Sequence, residues 1–189
     1  MTKAPALSPA PASVSIRELD AGEVAARLDE LSAILEEAVA LGASVNFMAG
    51  FSREDGRAYW AAQLPGLADG SRRLVVAEAE GLLLGTVMLT FAAQPNAPHR
   101  ADVGKMLVAA SARRLGVGRR LLDRAEEVAR AAGRTLLLLD TETGSAAESL
   151  YRACGWTPFG VVPAHAFRPD GASLGDTTFF YKVLGPHRR

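Results

Sequence analysis

The chain has 189 residues, 49% of them apolar, and its 21 acidic side chains balance 21 basic ones. That size and apolar share suit one domain with a sizeable core, and zero net charge speaks against a dedicated binder of nucleic acid or anionic membrane, which concentrates Lys and Arg on one face. The single cysteine, Cys154, excludes an internal disulfide, argues against a cysteine-based metal site and fits a reducing cytoplasm.

Met1 to Ser13 is rich in Ala and Pro without the long apolar stretch of a secretory signal, so it reads as a disordered leader. Residues 14–185 read as one domain and 186–189 as a tail. Val14 to Leu19 predicts a first strand, and Ala21 to Leu41 carries apolar residues at helical spacing up to a stop at Gly42. A loop of small and apolar residues, Gly42 to Met48, follows. Ser52 caps a second helix running to about Leu67. Arg73 to Ala79 and Leu82 to Ala92, joined by Glu80-Gly81, read as a hairpin, and Arg100 to Ala109 as the next strand. Val117 to Ala132 is a helix with one buried stripe, stopped by Gly133.

Thr135 to Asp140 is so continuously apolar that it suits a strand covered on both faces. A short helix over Ser145 to Ala153 and strands over Trp156 to Val162 and Thr177 to Leu184 close the chain. The order β-α-α-β-β-β-α-β-α-β-β is mixed α/β, and the strand–helix–strand unit at its centre predicts a parallel pair. The longest apolar runs fall far short of the roughly 20 residues of a membrane span.

The most informative stretch is Arg113-Arg114-Leu115-Gly116-Val117-Gly118-Arg119-Arg120, between a strand and a helix. The first turn of a helix has backbone N–H groups without intrahelical acceptors and a partial positive charge. Glycines at 116 and 118 would let a phosphate approach those donors, and the arginines would add mobile cations. An ordinary solvated turn is the competing reading. There is neither a Gly-Lys-Ser/Thr closing a P-loop nor a third glycine completing a dinucleotide fingerprint.

With that element order, Arg113 to Gly118 resembles the pyrophosphate loop of the Gcn5-related N-acetyltransferase (GNAT) superfamily, Arg/Gln-x-x-Gly-x-Gly/Ala. A second signature of that family, Ala-x-x-Leu-Tyr followed by Gly and an aromatic, is matched by Ala147-Glu148-Ser149-Leu150-Tyr151 with Gly155-Trp156. Gly42 to Met48, Leu139 to Ser145, Pro169-Asp170-Gly171 and the ending Tyr181 to Gly185 further resemble the tabtoxin-resistance members of the superfamily, which acetylate a β-lactam toxin. The resemblance implies the acyl-CoA N-acyltransferase fold: a mixed, mostly antiparallel sheet of six to seven strands with a central parallel pair, flanked by about four helices. It also implies acetyl-CoA as co-substrate, no metal, and a small-molecule acceptor, with neither nucleic acid nor membrane as partner; a homodimer is left open.

Acyl transfer from a thioester to an amine needs a base for the ammonium, donors for the developing oxyanion and a proton for the thiolate. Asp102 and Asp140 are the candidate bases, because the ends of parallel strands are where α/β sheets place ligands. The resemblance implies the same pair, although its fourth-strand base is more often Glu and Asp102 reaches one methylene less far. Asp102, Gly104, Met106 and Val108 fall in one alternation set. Asp102 is alternatively a solvated partner of Arg100 and Asp140 a turn former, with Glu142 the runner-up base.

The resemblance points Tyr151 at the cofactor sulfur as general acid; otherwise it is a core tyrosine. It also assigns Met106, Leu107 and Val108 to the cofactor arm through their backbone, and Arg113, Arg114, Leu115, Gly116, Val117, Gly118 and Arg119 to the pyrophosphate. Many members carry an Asn about seven residues before the tyrosine; here Gly144 and Ser145 stand nearby, so Ser145 or the helix N-terminus alone takes that place. Cys154 reads as packing. His99, His165 and His187 lack metal-ligand spacing, and His165 reads as a surface-loop residue, with lining of the substrate pocket the alternative. The reading is an acetyl-CoA-dependent acetyltransferase working in a ternary complex; the alternative is a non-catalytic acyl-CoA sensor. Nucleic-acid contact by the arginine-rich helix start is least supported.

Overall fold

The computed structural model describes residues 13–185; all but the last residue of the expected leader, and the whole of the expected tail with His187, lie outside them. Seven strands form one sheet in the order β1-β2-β3-β4-β5-β7-β6. They are β1 (Ser15–Leu19), β2 (Arg72–Ala79), β3 (Leu82–Phe91), β4 (Arg100–Val108), β5 (Leu136–Glu142), β6 (Thr157–Phe167) and β7 (Leu174–Val183). Every neighbouring pair is antiparallel except β4 and β5, which run parallel and are joined through α5 (Val117–Ala131). The expected architecture is present.

Each N-terminal helix is broken in two. The first gives α1 (Ala21–Ala26) and α2 (Leu28–Ala40), parted at Arg27, whose backbone leaves the helical region while its guanidinium bonds Glu30, Glu78 and the Gly81 carbonyl. The second gives α3 (Arg53–Ala61) and α4 (Leu64–Ala68). Pro65 has no N–H to continue the first of these, so a new helix starts with the proline in its opening turn. Asp20 and Ser52 form capping boxes with Glu23 and Asp55 and fix where α1 and α3 begin.

The closing hairpin is longer than the sequence suggests. Pro163 to Phe167, expected as loop, continues β6, and β7 begins at Leu174. Pro163 reads as a breaker, but β6 is an edge strand, where a missing N–H costs no ladder bond. The register skips between Val162 and Ala166, with Ala164 at φ +50°. His165 is therefore a strand residue.

Two cores flank the sheet. On one face α1 to α4 pack Val24, Leu31, Leu35 and Trp60 against Leu74, Val76, Met88 and Leu107. On the other, α5 and α6 (Ala146–Ala153) bury Leu121, Leu122, Ala125 and Tyr151 against Val75, Val87, Val103, Leu137 and Phe180. The β1–β4 half of the sheet is thus covered on both faces, whereas β5, expected to be covered on both, buries Leu137 and Leu139 on the α5 side and leaves Leu136 and Leu138 half-buried on the other.

Candidate active site

The β4–β5 ladder is short: Arg100, Ala101 and Asp102 pair with Leu136, Leu137 and Leu138, and no later pair follows although β4 runs to Val108 and β5 to Glu142. Beyond Asp102 the two strands part. A gap opens at their C-terminal ends, where a parallel pair places ligands.

A β-bulge sits on the rim of this gap. Thr86 is opposite Leu107 while Met88 is opposite Gly104, so β4 carries one extra residue there. Lys105, at φ +48°, takes up the excess, and its carbonyl accepts from Thr86 Oγ1 at 2.8 Å. The bulge overturns the single alternation set expected along β4. Gly104 and Leu107 face α2 and α3 with Asp102, whereas Met106 and Val108 pack on the α5 side. Ala109 N donates to Leu84 O at 2.9 Å, and Val108 lies opposite Gly85. That pattern belongs to a non-hydrogen-bonded pair, so the N–H and C=O of Val108 point away from β3 into the gap.

At the end of β4 a single 3-10 turn, Ala110–Ala112, leads to the arginine loop. Gly116 is the N-cap of α5 at φ +77° and supplies no capping side chain, which leaves the first-turn N–H groups turned outward. A Cβ on Gly116 would meet nothing within 4 Å, so the space above those donors is open. Gly118 differs. A Cβ there would stand 2.9 Å from Leu150 Cδ2 and 3.1 Å from Met106 Cε, so this glycine lets α5 pack closely on α6 and β4. Val117 is buried, while Arg113, Arg114, Leu115 and Arg119 are exposed.

Two of those arginines are less mobile than expected. Arg113 Nε donates to Val108 O at 3.2 Å, and Arg119 donates to Ala153 O at 3.0 Å, tying the loop to β4 and to the end of α6. Arg114, at φ +64°, is held in the left-handed region beside Gly116. The positive charge stays at the helix start in every case.

Asp102 and Asp140 share the sheet face that looks toward α2 and α3, one strand apart and separated along the strands by a single alternation. The Asp102 carboxyl is held above its ordinary range, chiefly by loss of water, with the Asp140 charge adding and Arg100 opposing. Lys105, which sequence reading passed over, reaches the same region. Its Nζ donates to Val45 O at 3.2 Å and lies 5.3 Å and 5.1 Å from the ring centres of Phe47 and Tyr59. Burial lowers the Lys105 pKa, and Asp140 opposes that shift. A lysine directly after a glycine inside an apolar strand was the available signal. Glu142 is bound to Arg168 at 2.8 Å and so is already engaged.

Tyr151 comes from the other side of the sheet, 5% exposed, with its ring 6.0 Å from those of Trp156 and Phe180. Burial first, then the negative charge of Asp140, raise its phenol well above the usual value, so it stays protonated at neutral pH. Among the described residues none bonds its hydroxyl. Asp140 therefore acts electrostatically on Asp102, Lys105 and Tyr151 at once. Ser145 caps α6, accepting from Glu148 N at 3.1 Å and lying 3.3 Å from Thr141 Oγ1. Cys154 is buried with its thiol pKa raised by desolvation, which suits packing. Among the described residues no group of three His, Cys, Asp or Glu side chains is placed to hold a metal, and no helix is long and apolar enough to cross a membrane.

A gap between parallel strands, beside a helix start stripped of its cap, is what the two sequence signatures imply, and comparison with known proteins agrees. The model of the Acetyltransferase (GNAT) family matches residues 37–156. The chain belongs to this family. An IAA acetyltransferase of Azospirillum brasilense is 36% identical over 109 residues, spanning 57% of this chain and 68% of that protein. Among solved structures, yncA of Salmonella typhimurium, determined with its cofactor acetyl-CoA, superposes with a TM-score of 0.75 over 94% of this chain and 97% of that one at 20% identity. A ribosomal-protein-alanine N-acetyltransferase of Brucella melitensis gives 0.71 at 25% identity, covering 89% and 99%. These likenesses give this GNAT chain its fold and its membership among acyl-transferring enzymes; they do not extend to the tabtoxin-resistance members in particular.

Proposed function

We propose that this GNAT protein transfers an acetyl group from acetyl-CoA to the amine of a small molecule, both bound together, within a single domain spanning residues 14–185. The observation that carries the reading is the parting of β4 and β5 just beyond Asp102, with both carboxylates on one face and Tyr151 on the other. The residues present suit the donor. Open space above Gly116, outward N–H groups at the start of α5 and the arginines around them match a pyrophosphate, and the Val108 peptide turned into the gap matches an amide-bearing arm.

In this scheme the first-turn amides of Val117, Gly118 and Arg119, with Arg113 and Arg114, hold the diphosphate, while the β4 edge from Met106 through Leu107 to Val108 holds the arm by its backbone. Ser145 contributes through the N-terminus of α6. Acetyl-CoA supplies the activated acyl group. Asp102, with Asp140 beside it, takes the proton of the acceptor ammonium, whose unperturbed pKa is about 10.4. As the C–N bond forms and the C–S bond breaks, Tyr151 gives its proton to the departing sulfur, and the second proton shed by the acylated nitrogen passes through solvent to restore the phenol. Asp102 is preferred to Glu142, whose carboxylate is committed to Arg168. Likeness of loops to the tabtoxin-resistance members supports a toxin or antibiotic among the acceptors.

A free-thiol assay with acetyl-CoA and a panel of amines tests the reading. Thiol release that is lost in Tyr151→Phe and Asp102→Asn while calorimetry still shows acetyl-CoA binding supports it. Tight binding with no thiol released by any amine would make the protein a sensor instead.

A further inference from the structure

We propose that the acceptor is an organic cation carried on a flat aromatic body, its ammonium at Asp102 and Asp140 and its ring against a wall of Phe159, Phe179 and Tyr181. This names the acceptor class of the site above and rests on that reading. Helices α1 to α4 pack on strands of the β1–β4 half of one sheet face, and the core they make includes no residue of β5, β6 or β7. The other half of that face is uncovered, and it is aromatic.

The register fixes what stands there. Asp102 pairs with Leu138, Leu138 with Tyr181 and Tyr181 with Thr157; one alternation along, Asp140 pairs with Phe179. Phe159 is the residue skipped between Pro158 and Gly160, and its ring lies 6.1 Å from the rings of both Phe179 and Tyr181. His165 closes the far side edge-on, 5.4 Å from Phe179. Phe159 is 60% exposed, so the wall faces solvent rather than a core. Adjacent strands stand about 4.8 Å apart, so a ring on Phe179 places a charged nitrogen at Asp140 after about one or two methylenes.

Charge favours a cation at this end. Asp102 and Asp140 border the wall; of the cations near them, Arg100, one alternation before Asp102 on β4, donates to Gln94 Oε1 at 3.1 Å, and Lys105, which acts on Asp140, is held on the opposite side by Val45 O and the rings of Phe47 and Tyr59. That side is also roofed. Ala49 N donates to Pro169 O at 2.6 Å, and Met48 lies against Gly171, joining the loop after α2 to the β6–β7 turn. A second copy adding a strand to β6 is disfavoured, because Pro158, Pro163 and two register breaks interrupt that edge.

The test compares 2-phenylethylamine with ethylamine as acceptors in the thiol-release assay. Moving one phenyl ring from water onto the wall raises kcat/KM by about tenfold to a hundredfold. Phe159→Ala brings the ratio of the two amines down toward one, and Phe159→Tyr keeps it high. Turnover of both amines at equal kcat/KM overturns the proposal and leaves the acetyltransferase reading standing. An unchanged ratio in Phe159→Ala, with a change of sedimentation from dimer to monomer, overturns it in favour of a second copy on this face. No thiol release from either amine or any other, with acetyl-CoA bound, overturns both.

Discussion

Gly116→Ala separates the backbone demand of the anion loop from its sterics. Gly116 sits at φ +77° as the N-cap of α5, and an added Cβ would meet nothing within 4 Å, so the whole penalty is conformational. The left-handed region costs an L-residue roughly 1–2 kcal/mol, and the loss of unfolded-state freedom on replacing Gly returns about 0.4–1 kcal/mol. The net loss is about 1 kcal/mol, which in a domain of this size lowers Tm by about 2–4 °C. Gly116→Asn recovers most of it, since Asn tolerates this conformation. Thermal unfolding followed by circular dichroism gives the order Gly, Asn, Ala. Acetyl-CoA affinity by calorimetry should follow the same order, because the first-turn amides are aimed by this residue. An Ala variant as stable as the Asn one would refute the argument.

Tyr151→Phe should lower kcat by about a hundredfold or more, the usual worth of a positioned proton donor, with acetyl-CoA affinity unchanged by calorimetry; an unaltered kcat removes the tyrosine from the chemistry. Because the Asp102 carboxyl is raised by burial, kcat/KM should climb with pH through a carboxylate limb above the ordinary Asp value, and Asp102→Asn should erase that limb. Its stability effect has the opposite sign. The contribution of Asp102 is full below the unfolded pKa and is lost as pH rises through the folded one, so Asp102→Asn should raise Tm at pH 7 and not at pH 3. Glu148 is the converse: accepting from Gly144 N at 2.5 Å and from Arg152, it has a lowered pKa. Its contribution is present above the unfolded pKa and lost as pH falls through the folded one, and Glu148→Ala should cost about 1.5–3 kcal/mol in urea unfolding at pH 7.

Much of this was legible in the chain. The strand–loop–helix order around Arg113 to Gly118, the stops at Gly42 and Gly133, the cap at Ser52 and the apolar run of β5 are set by contacts a few residues long, so local chemistry suffices to read them. The breaks inside the two N-terminal helices were not read, although Pro65 signalled one of them.

What the sequence could not determine depends on partners far along the chain. The extra residue at Lys105 exists only relative to β3, and it moves Met106 and Val108 to the face opposite Asp102. Pro163 looks like a strand breaker until β6 is known to be an edge. The charge of Asp140 acts on Tyr151 from the other face of the sheet, beside the gap where β4–β5 pairing ends, and the aromatic wall forms because a bulge lifts Phe159 toward Phe179 and Tyr181. Register is a relation between strands, and one residue of slip changes the face of every side chain beyond it. Local sequence therefore named the groups, and only the assembled sheet decided which of them stand together.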